Sequence, residues 1–142
     1  MIVDTLTQLL HHSAGRWPDR IAVADPASDR SITYRALDPL VANLTVQLSG
    51  QGANPGDAVA IVPDNCLEYV VALFAVVGAR GSAAPVNPAL TAPQLRATLR
   101  NLQTRATIVP THLHDRYEPQ WGPTAHFTEG RSGHELRTRG PR

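Results

Sequence analysis

The chain has 142 residues, of which 42% are hydrophobic and 18% charged, and its formal net charge is +1. This length fits one domain, or one domain with a tail, and the hydrophobic share excludes disorder along the whole chain. A charge this close to neutral gives no electrostatic reason to expect a nucleic-acid partner or an anionic membrane surface.

The first third of the chain predicts a helix followed by two short strands. Thr5 and Gln8 have the spacing of a capping box, which starts a helix, and Gly15 is suited to end it. Residues 21–24 and 31–33, IAVA and SIT, are typical of two short strands. The turn residues between these two runs predict a β-hairpin.

A second helix is predicted near Tyr34, although its start is ambiguous. Its apolar residues recur at offsets 0, 3, 6, 7, 10 and 14 and so form one face: Tyr34, Leu37, Leu40, Val41, Leu44 and Leu48. Pro39 interrupts this stripe, and a proline inside a helix costs about 3 kcal/mol. Either the helix starts late, at Pro39, or it starts at Tyr34 with an irregular first turn. Gly50 and Gly52 are expected to end it.

Strands and helices alternate from residue 58 to residue 109. Residues 58–62 are an unbroken apolar run, typical of a strand covered on both faces. The predicted elements are a buried helix over 66–80, a strand over 83–86, a helix from Thr91 and a strand over 106–109. This alternation predicts a parallel βαβαβ sheet and makes the chain an α/β protein. Leu95, Leu99 and Leu102 are expected to share one side of the last helix.

Residues 111–142 are predicted to be an unstructured tail, because their composition changes and their apolar residues have no regular spacing. They contain four of the six histidines, four glycines, three prolines and five arginines. We therefore predict two regions, a folded domain over 1–110 and a tail over 111–142.

The N-terminal residues do not resemble a signal peptide, since they lack a basic segment and their apolar residues are spaced apart. The longest apolar run, Tyr69 to Ala79, is shorter than the roughly 20 residues that a bilayer requires. The single cysteine, Cys66, excludes an internal disulfide and fits a reducing compartment. We therefore expect a cytoplasmic protein.

Three segments, in this order and spacing, resemble the N-terminal part of AMP-forming acyl-CoA synthetases of the adenylate-forming superfamily. They read TLTQLL, then WPDRIAVADPASDRSITYRALD, then NPGDAVAIVPDNCLEYVVALFAVVGARGSAAPVNPALTAPQL. The run ARGSAAPVNPALT is most similar to oxalate-CoA and fatty-acid-CoA ligases. The resemblance spans Thr5 to Val109, about three quarters of the chain.

The resemblance implies an acid–thiol ligase that joins a carboxylate to AMP, releases pyrophosphate, and passes the acyl group to coenzyme A. It implies ATP, Mg and CoA as the cofactors of the parent family. In that family the phosphate loop, the catalytic lysine and the ribose-binding aspartate lie further along the polypeptide. No residue of this sequence matches them, and all 13 basic residues are arginine. We therefore predict no catalytic, cofactor-binding or metal-binding residue in this chain.

Two features suggest chemistry, and each has a simpler structural interpretation. Gly78 and Gly81 could belong to a phosphate loop, but they lie at a predicted helix end, where glycine is a common terminating residue. Cys66 lies in the first turn of a helix, where a thiol can be activated, yet no nearby histidine could act as its base. A buried structural role is favoured for both.

The histidine and arginine groups also favour structural interpretations. His112, His114 and Asp115 could approach a metal, but residues two apart share a face only on a strand, and this segment is predicted to be a loop. His11 and His12 point in different directions on a helix. The arginines within 131–142 have no interleaved aromatic residues for stacking on nucleic acid bases.

Two hypotheses follow. The chain is a truncated or split acyl-CoA synthetase, catalytically incompetent alone, and its tail follows a frameshift or an early stop. Alternatively, it is a non-catalytic binding or regulatory module that docks on another ligase chain. The remainder of a split ligase or a homo-oligomer is the expected partner, because three parallel strands and their helices leave apolar surface uncovered.

Overall fold

A computed structural model describes residues 5–62, 66–110, 124–128 and 135–138. The elements follow in this order: α1 (Leu6–Arg16), β1 (Ile21–Asp25), β2 (Arg30–Thr33), α2 (Tyr34–Gly50), β3 (Ala58–Ile61), α3 (Cys66–Gly78), β4 (Ser82–Pro85), α4 (Ala92–Asn101), β5 (Ala106–Pro110), β6 (Thr124–Thr128) and β7 (Glu135–Thr138). The predicted order up to residue 109 is confirmed. The capping boxes at Thr5 and Thr91 are both formed.

Among the described residues, the main sheet has five strands in the order β4-β3-β5-β6-β7. β3 pairs in parallel with β4 and with β5, as expected for consecutive βαβ units. β1 and β2 form a separate antiparallel hairpin. The fold is therefore the predicted hairpin followed by a parallel βαβαβ sheet.

The two faces of the sheet carry separate apolar clusters. Val59 and Ile61 of β3 point to the face covered by α1, α2, α3 and the hairpin. Ala60 and Val62 point to the opposite face, where Leu95 and Leu99 of α4 pack on them. This alternation explains the unbroken apolar run over 58–62, because both faces of β3 are buried. The prediction for Leu102 is wrong: it follows α4 and is 42% exposed.

α2 begins at Tyr34, so the earlier of the two predicted starts is the observed one, and Pro39 lies inside the helix. Thr33 precedes the helix without a side-chain cap. Instead, the N–H groups of Tyr34 and Arg35 donate to the carbonyls of Arg20 and Pro18, at 3.1 and 2.9 Å. The turn after α1 thus caps α2. These bonds stabilise a first turn that the sequence does not stabilise locally.

α2, α3 and α4 end in the same hydrogen-bond pattern, a Schellman motif. Gly52, Arg80 and Gln103 each adopt a left-handed conformation, with φ of 83°, 61° and 50°. In each case the following residue donates its N–H to the carbonyl five positions back, as Gly81 does to Val76 at 2.9 Å. Only the first of these three positions has the glycine that the motif favours.

Replacing Arg80 with glycine is expected to stabilise the protein by about 1 kcal/mol, because a left-handed conformation strains any residue that has a Cβ atom. Arg80 is exposed, so the substitution removes no buried contact. The measurement is the urea-unfolding midpoint of the 142-residue chain. Gly52→Ala places a Cβ in the same conformation and is expected to lower stability by a similar amount. Equal midpoints for all three proteins would contradict this account of the helix ends.

The structure corrects the prediction of an unstructured tail for two short segments. β6 pairs in parallel with β5, and β7 pairs antiparallel with β6. The sequence prediction missed both strands because it required regular apolar spacing, whereas strands of four or five residues at the end of a sheet form by backbone pairing. The remaining residues of 111–142 lie outside the described part of the chain.

Candidate functional site

The carboxyl edge of the parallel strands is the part of this fold where a ligand would be expected. β3 and β4 are neighbours, and the helices that follow them, α3 and α4, cover opposite faces. The strand order therefore reverses between β3 and β5, and in open α/β sheets the crevice at such a reversal usually holds the ligand. Residues 63–65, which follow β3, lie outside the described residues. After β4, the Asn87 side-chain oxygen accepts a hydrogen bond from Ala89 N at 2.9 Å, so it stabilises its own turn.

The glycine segment at the end of α3 serves packing, as the sequence interpretation expects. The N–H groups of Arg80 and Gly81 donate to Val77 and Val76 carbonyls, both at 2.9 Å. A Cβ on Gly81 would lie 3.2 Å from the Asp57 carbonyl oxygen. A phosphate loop needs free N–H groups that converge on the anion. The two donors of this segment are already bonded within the helix end.

An ion pair connects the hairpin to the start of α3. Arg30 Nη2 lies 2.6 Å from Glu68 Oε1, and the two side chains are 28% and 13% exposed. Glu68 is in the first turn of α3, where a carboxylate is favoured by the helix dipole. Its second oxygen, Oε2, is buried and has no hydrogen-bond partner among the described residues. The pair therefore joins two elements that are 38 residues apart in sequence.

The hairpin turn contains the one described carboxyl group for which a pKa shift is resolved. A hydrogen bond from the Ser28 hydroxyl, 2.6 Å from Oδ2, lowers the pKa of Asp25. Burial opposes this effect by raising the pKa, while the N–H of Ala27, 3.0 Å from Oδ1, and the charge of Arg30 lower it. These bonds hold a turn, and they present no acid or base to a substrate.

The stability of the protein is expected to fall below about pH 4 in part because of Asp25. Its folded pKa is lowered, so its contribution is present above the unfolded pKa and is lost as pH falls through the folded pKa. Asp25→Asn should flatten the acid side of the curve of unfolding free energy against pH, measured from about pH 2.5 to about pH 6. Ser28→Ala, which removes the main cause, should flatten it partly. An unchanged acid slope in both variants would refute the assignment.

Sequence reasoning missed three polar side chains with buried atoms that have no hydrogen-bond partner among the described residues. Thr107 of β5 is 2% exposed, and its hydroxyl is unpaired. Gln47 and Gln51, one turn apart at the end of α2, have buried amide atoms without partners. The partial burial of the two glutamines could have been inferred from the sequence, because they lie next to the apolar stripe of α2. The three residues contain no charged group and no nucleophile paired with a base, so they suggest no reaction.

The other residues considered from sequence are not brought together by the fold. His11 Nδ1 lies 2.9 Å from Asp38 Oδ2 on α2, and the histidine is largely exposed. Cys66 is the first residue of α3, and its side chain lies outside the description. His112, His114 and Asp115 also lie outside the described residues. The arginine-rich end is described only over Glu135–Thr138, as strand β7.

The described residues do not fit a Mg ion, one of the groups that the resemblance to the adenylate-forming family implies. Within the described ranges no three side chains of His, Cys, Asp or Glu are placed to hold a metal ion. Glu68 and Asp19, two of the carboxylates, are paired with Arg30 and Arg35. We therefore derive no reaction step through this ion. None of the described helices is long and apolar enough to cross a membrane.

The family match agrees with this fold and extends further along the chain than the motifs seen in the sequence. The sequence model of the AMP-binding enzyme family matches residues 10–135. The chain belongs to this family, and thus to the adenylate-forming superfamily. The match continues past Pro110, so the change in composition there does not mark its end, which weakens the frameshift interpretation of the tail.

Known relatives include CoA ligases and peptide synthetases. The chain is 35% identical over 106 residues to the oxalate–CoA ligase of Arabidopsis thaliana, covering 74% of this chain and 20% of that protein. It is 42% identical over 86 residues to the salicyl-AMP ligase of Mycobacterium tuberculosis, covering 58% of this chain and 15% of that protein. The nonribosomal peptide synthetase FmoA3 has the same fold over 86% of the chain, with a TM-score of 0.79 and 23% identity, and the match covers 14% of FmoA3. The chain thus spans a small part of the relatives that it matches.

Proposed function

We propose that these residues form the scaffold part of the N-terminal domain of an AMP-dependent acyl-CoA synthetase, and that they do not adenylate a carboxylate alone. The family match supports the class of enzyme. The proposal that the chain does not adenylate a carboxylate alone rests on the absence of lysine among the 142 residues. Acyl adenylation needs cations and N–H groups directed at the pyrophosphate that leaves. The N–H groups after α3, the best candidates from sequence, are bonded internally.

The choice of coenzyme A as acyl acceptor rests on the resemblance to CoA ligases. The Arabidopsis relative is named as a CoA ligase. The mycobacterial relative is named both salicyl-AMP ligase and salicyl-S-ArCP synthetase, so a different acceptor occurs in the same family. We propose CoA as the acceptor for the complete enzyme. We also propose a cytoplasmic location, which fits the single cysteine.

The experiment is ATP–pyrophosphate exchange by the purified 142-residue chain over a panel of carboxylates. Exchange is expected to stay at the level of the protein-free blank, because the chain has no lysine and the N–H groups after α3 are bonded internally. Calorimetry should likewise show no ATP binding at micromolar concentration. The positive control is a complete CoA ligase under the same conditions. Turnover above the blank, or micromolar ATP uptake, would refute the proposal.

A second candidate is a non-catalytic module that docks on a ligase chain. The observation that favours it is the apolar surface of α1, where Leu6 and Leu9 are 49% and 48% exposed. Exposed apolar patches on monomeric proteins commonly mark interaction sites. The two candidates share a requirement for a partner, and they differ in whether the assembled complex is catalytic.

A further inference from the structure

The exposed large apolar side chains of the described residues are concentrated near the start of the chain. Of the six that are exposed in the described ranges, four lie between residues 6 and 21: Leu6, Leu9, Trp17 and Ile21. Leu6 and Leu9 are 49% and 48% exposed and lie about one turn apart on α1, and Trp17 directly follows this helix. Exposed apolar patches commonly mark interaction sites, so this end of the molecule is a candidate for one.

Two arginines stack on the ring of Trp17. The Cζ atoms of Arg16 and Arg20 lie 5.2 and 5.9 Å from the centre of that ring, within the range of a cation–π contact. Trp17 is nevertheless 41% exposed, and both arginines are exposed. The stacking restricts the two guanidinium groups before a partner binds, so less side-chain freedom is lost when they form an interface.

Neither of these two arginines forms an ion pair among the described residues. Asp19 lies between them in sequence, but its Oδ1 accepts a hydrogen bond from Arg35 Nη2 at 2.9 Å. The sequence of α1 contains no acidic residue that could serve instead. The helix dipole favours a cation at Arg16, in the last turn of α1, but Arg20 lies beyond the helix. Two positive charges are therefore open to the anionic groups of a partner.

The exposed leucines and Arg16 lie along one side of α1. Leu6, Leu9 and Arg16 recur at offsets 0, 3 and 10, which places them on one stripe of the helix. The opposite side contains His11, which contacts α2. Along the helix axis, Leu9 and Arg16 are about 10 Å apart. We call the following residues the α1 patch: Leu6, Leu9, Arg16, Trp17 and Arg20.

We propose that the α1 patch binds an acidic amphipathic helix of a partner protein. Apolar side chains at one end of that helix pack on Leu6 and Leu9, and carboxylates about two turns away bind Arg16 and Arg20. Tryptophan and arginine are enriched among the residues that contribute most to the free energy of binding at protein interfaces. The inference goes beyond the proposed function, because it requires neither catalysis nor a ligase chain as the partner.

Charge favours this occupant over a second copy of the chain and over a lipid surface. A second copy that docked through the same patch would bring two more arginines, and its α1 would bring no carboxylate. Basic clusters that bind anionic lipids usually have about four to eight cations, whereas the patch has two arginines. The net charge of the whole chain, +1, adds little attraction to a membrane. Two carboxylates of a protein helix are enough to pair with both arginines.

The test is selection and titration with helices of known sequence. The tagged 142-residue chain is the bait for a displayed library of helices about five turns long, varied among alanine, leucine, glutamate, glutamine and lysine. We expect enrichment of helices with two leucines one turn apart and glutamates about two turns further along. In anisotropy titrations, Arg16→Gln combined with Arg20→Gln should weaken binding of an enriched helix at least about tenfold. Glutamine in place of the glutamates should weaken binding to the original chain equally, with no further effect on the double variant.

Two exposed residues at the end of α4 provide matched controls. Arg100→Gln removes an exposed arginine from the last turn of α4, as Arg16→Gln does from the last turn of α1. Leu102→Ala truncates a leucine that is 42% exposed, close to the 48% of Leu9. Both controls should bind the helix like the original chain, whereas Leu9→Ala should bind it more weakly. Circular dichroism checks that every variant is folded.

Several results would overturn the inference. These are the failure of any helix to be enriched, enrichment without a preference for glutamate, and equal weakening in the two α4 controls. Cosedimentation with vesicles of phosphatidylcholine and phosphatidylserine, abolished in the double arginine variant, would make the patch a lipid-binding site instead. A dimer of the chain that Leu9→Ala dissociates would assign the patch to a second copy.

Discussion

Replacing Gly78 with alanine is expected to lower the unfolding free energy by about 2 kcal/mol. The added Cβ would lie 2.7 Å from Thr45 Oγ1, closer than packed atoms tolerate, and 3.1 Å from Thr7 Cγ2, which is a tight contact. Such overpacking costs about 1–3 kcal/mol, and alanine recovers less than about 1 kcal/mol of helix propensity at a helix end. Thr45 has little freedom to move, because its hydroxyl bonds to the carbonyls of Val41 and Ala75 at 2.8 and 3.3 Å. The measurement is urea unfolding followed by circular dichroism.

Two glycines in other helices are matched controls for Gly78. A Cβ on Gly15 of α1 or on Gly50 of α2 would meet no atom within 4 Å. Alanine at either position should therefore raise stability by up to about 1 kcal/mol, through propensity and a less flexible unfolded chain. Thr45→Ala combined with Gly78→Ala should recover part of the loss, since it removes the clashing atoms. If Gly78→Ala behaves like the two controls, the close three-helix contact is wrong.

The elements that the sequence predicts well are those whose signals are local. The capping boxes at Thr5 and Thr91 start helices, and the apolar run over 58–62 marks the central strand. The sequence alone does not decide which of two residues starts α2. The cap of this helix comes from the carbonyls of Pro18 and Arg20, which lie in a distant turn. A contact of that kind has no signature within the helix itself.

The same distinction between local and distant contacts explains which features of the candidate site could be predicted from the sequence. The interpretation of Gly78 as a helix-end residue follows from its neighbours along the chain, and the structure adds its contact with Thr45. The unpaired hydroxyl of Thr107 could not be foreseen, because its burial depends on how the layers stack. The order of the strands, with β3 between β4 and β5, follows from crossovers on opposite faces. Spacing in the sequence does not encode that choice.

Removing Glu68 with alanine is expected to cost about 2 kcal/mol, the second large effect. Breaking a fully buried ion pair costs about 3–5 kcal/mol, because a charge is left uncompensated. Here Arg30 is 28% exposed and can partly reach water, which reduces the cost. Glu68→Gln keeps the shape and an acceptor oxygen for Arg30, so about 1 kcal/mol is expected. The unfolding free energies of Glu68→Ala, Arg30→Ala and the double variant would give the coupling between the two side chains.

The exposed pair between Arg35 and Asp19 is the matched control for Arg30 and Glu68. Arg35 Nη2 lies 2.9 Å from Asp19 Oδ1, and the side chains are 66% and 83% exposed. Its coupling should be under about 1 kcal/mol and should fade in about 1 M salt, because water and ions screen it. The coupling of Arg30 and Glu68 should be larger and should persist in salt. Equal couplings would mean that the hairpin is held on α3 by its apolar contacts alone, through Ile32 and Val23 in the main cluster.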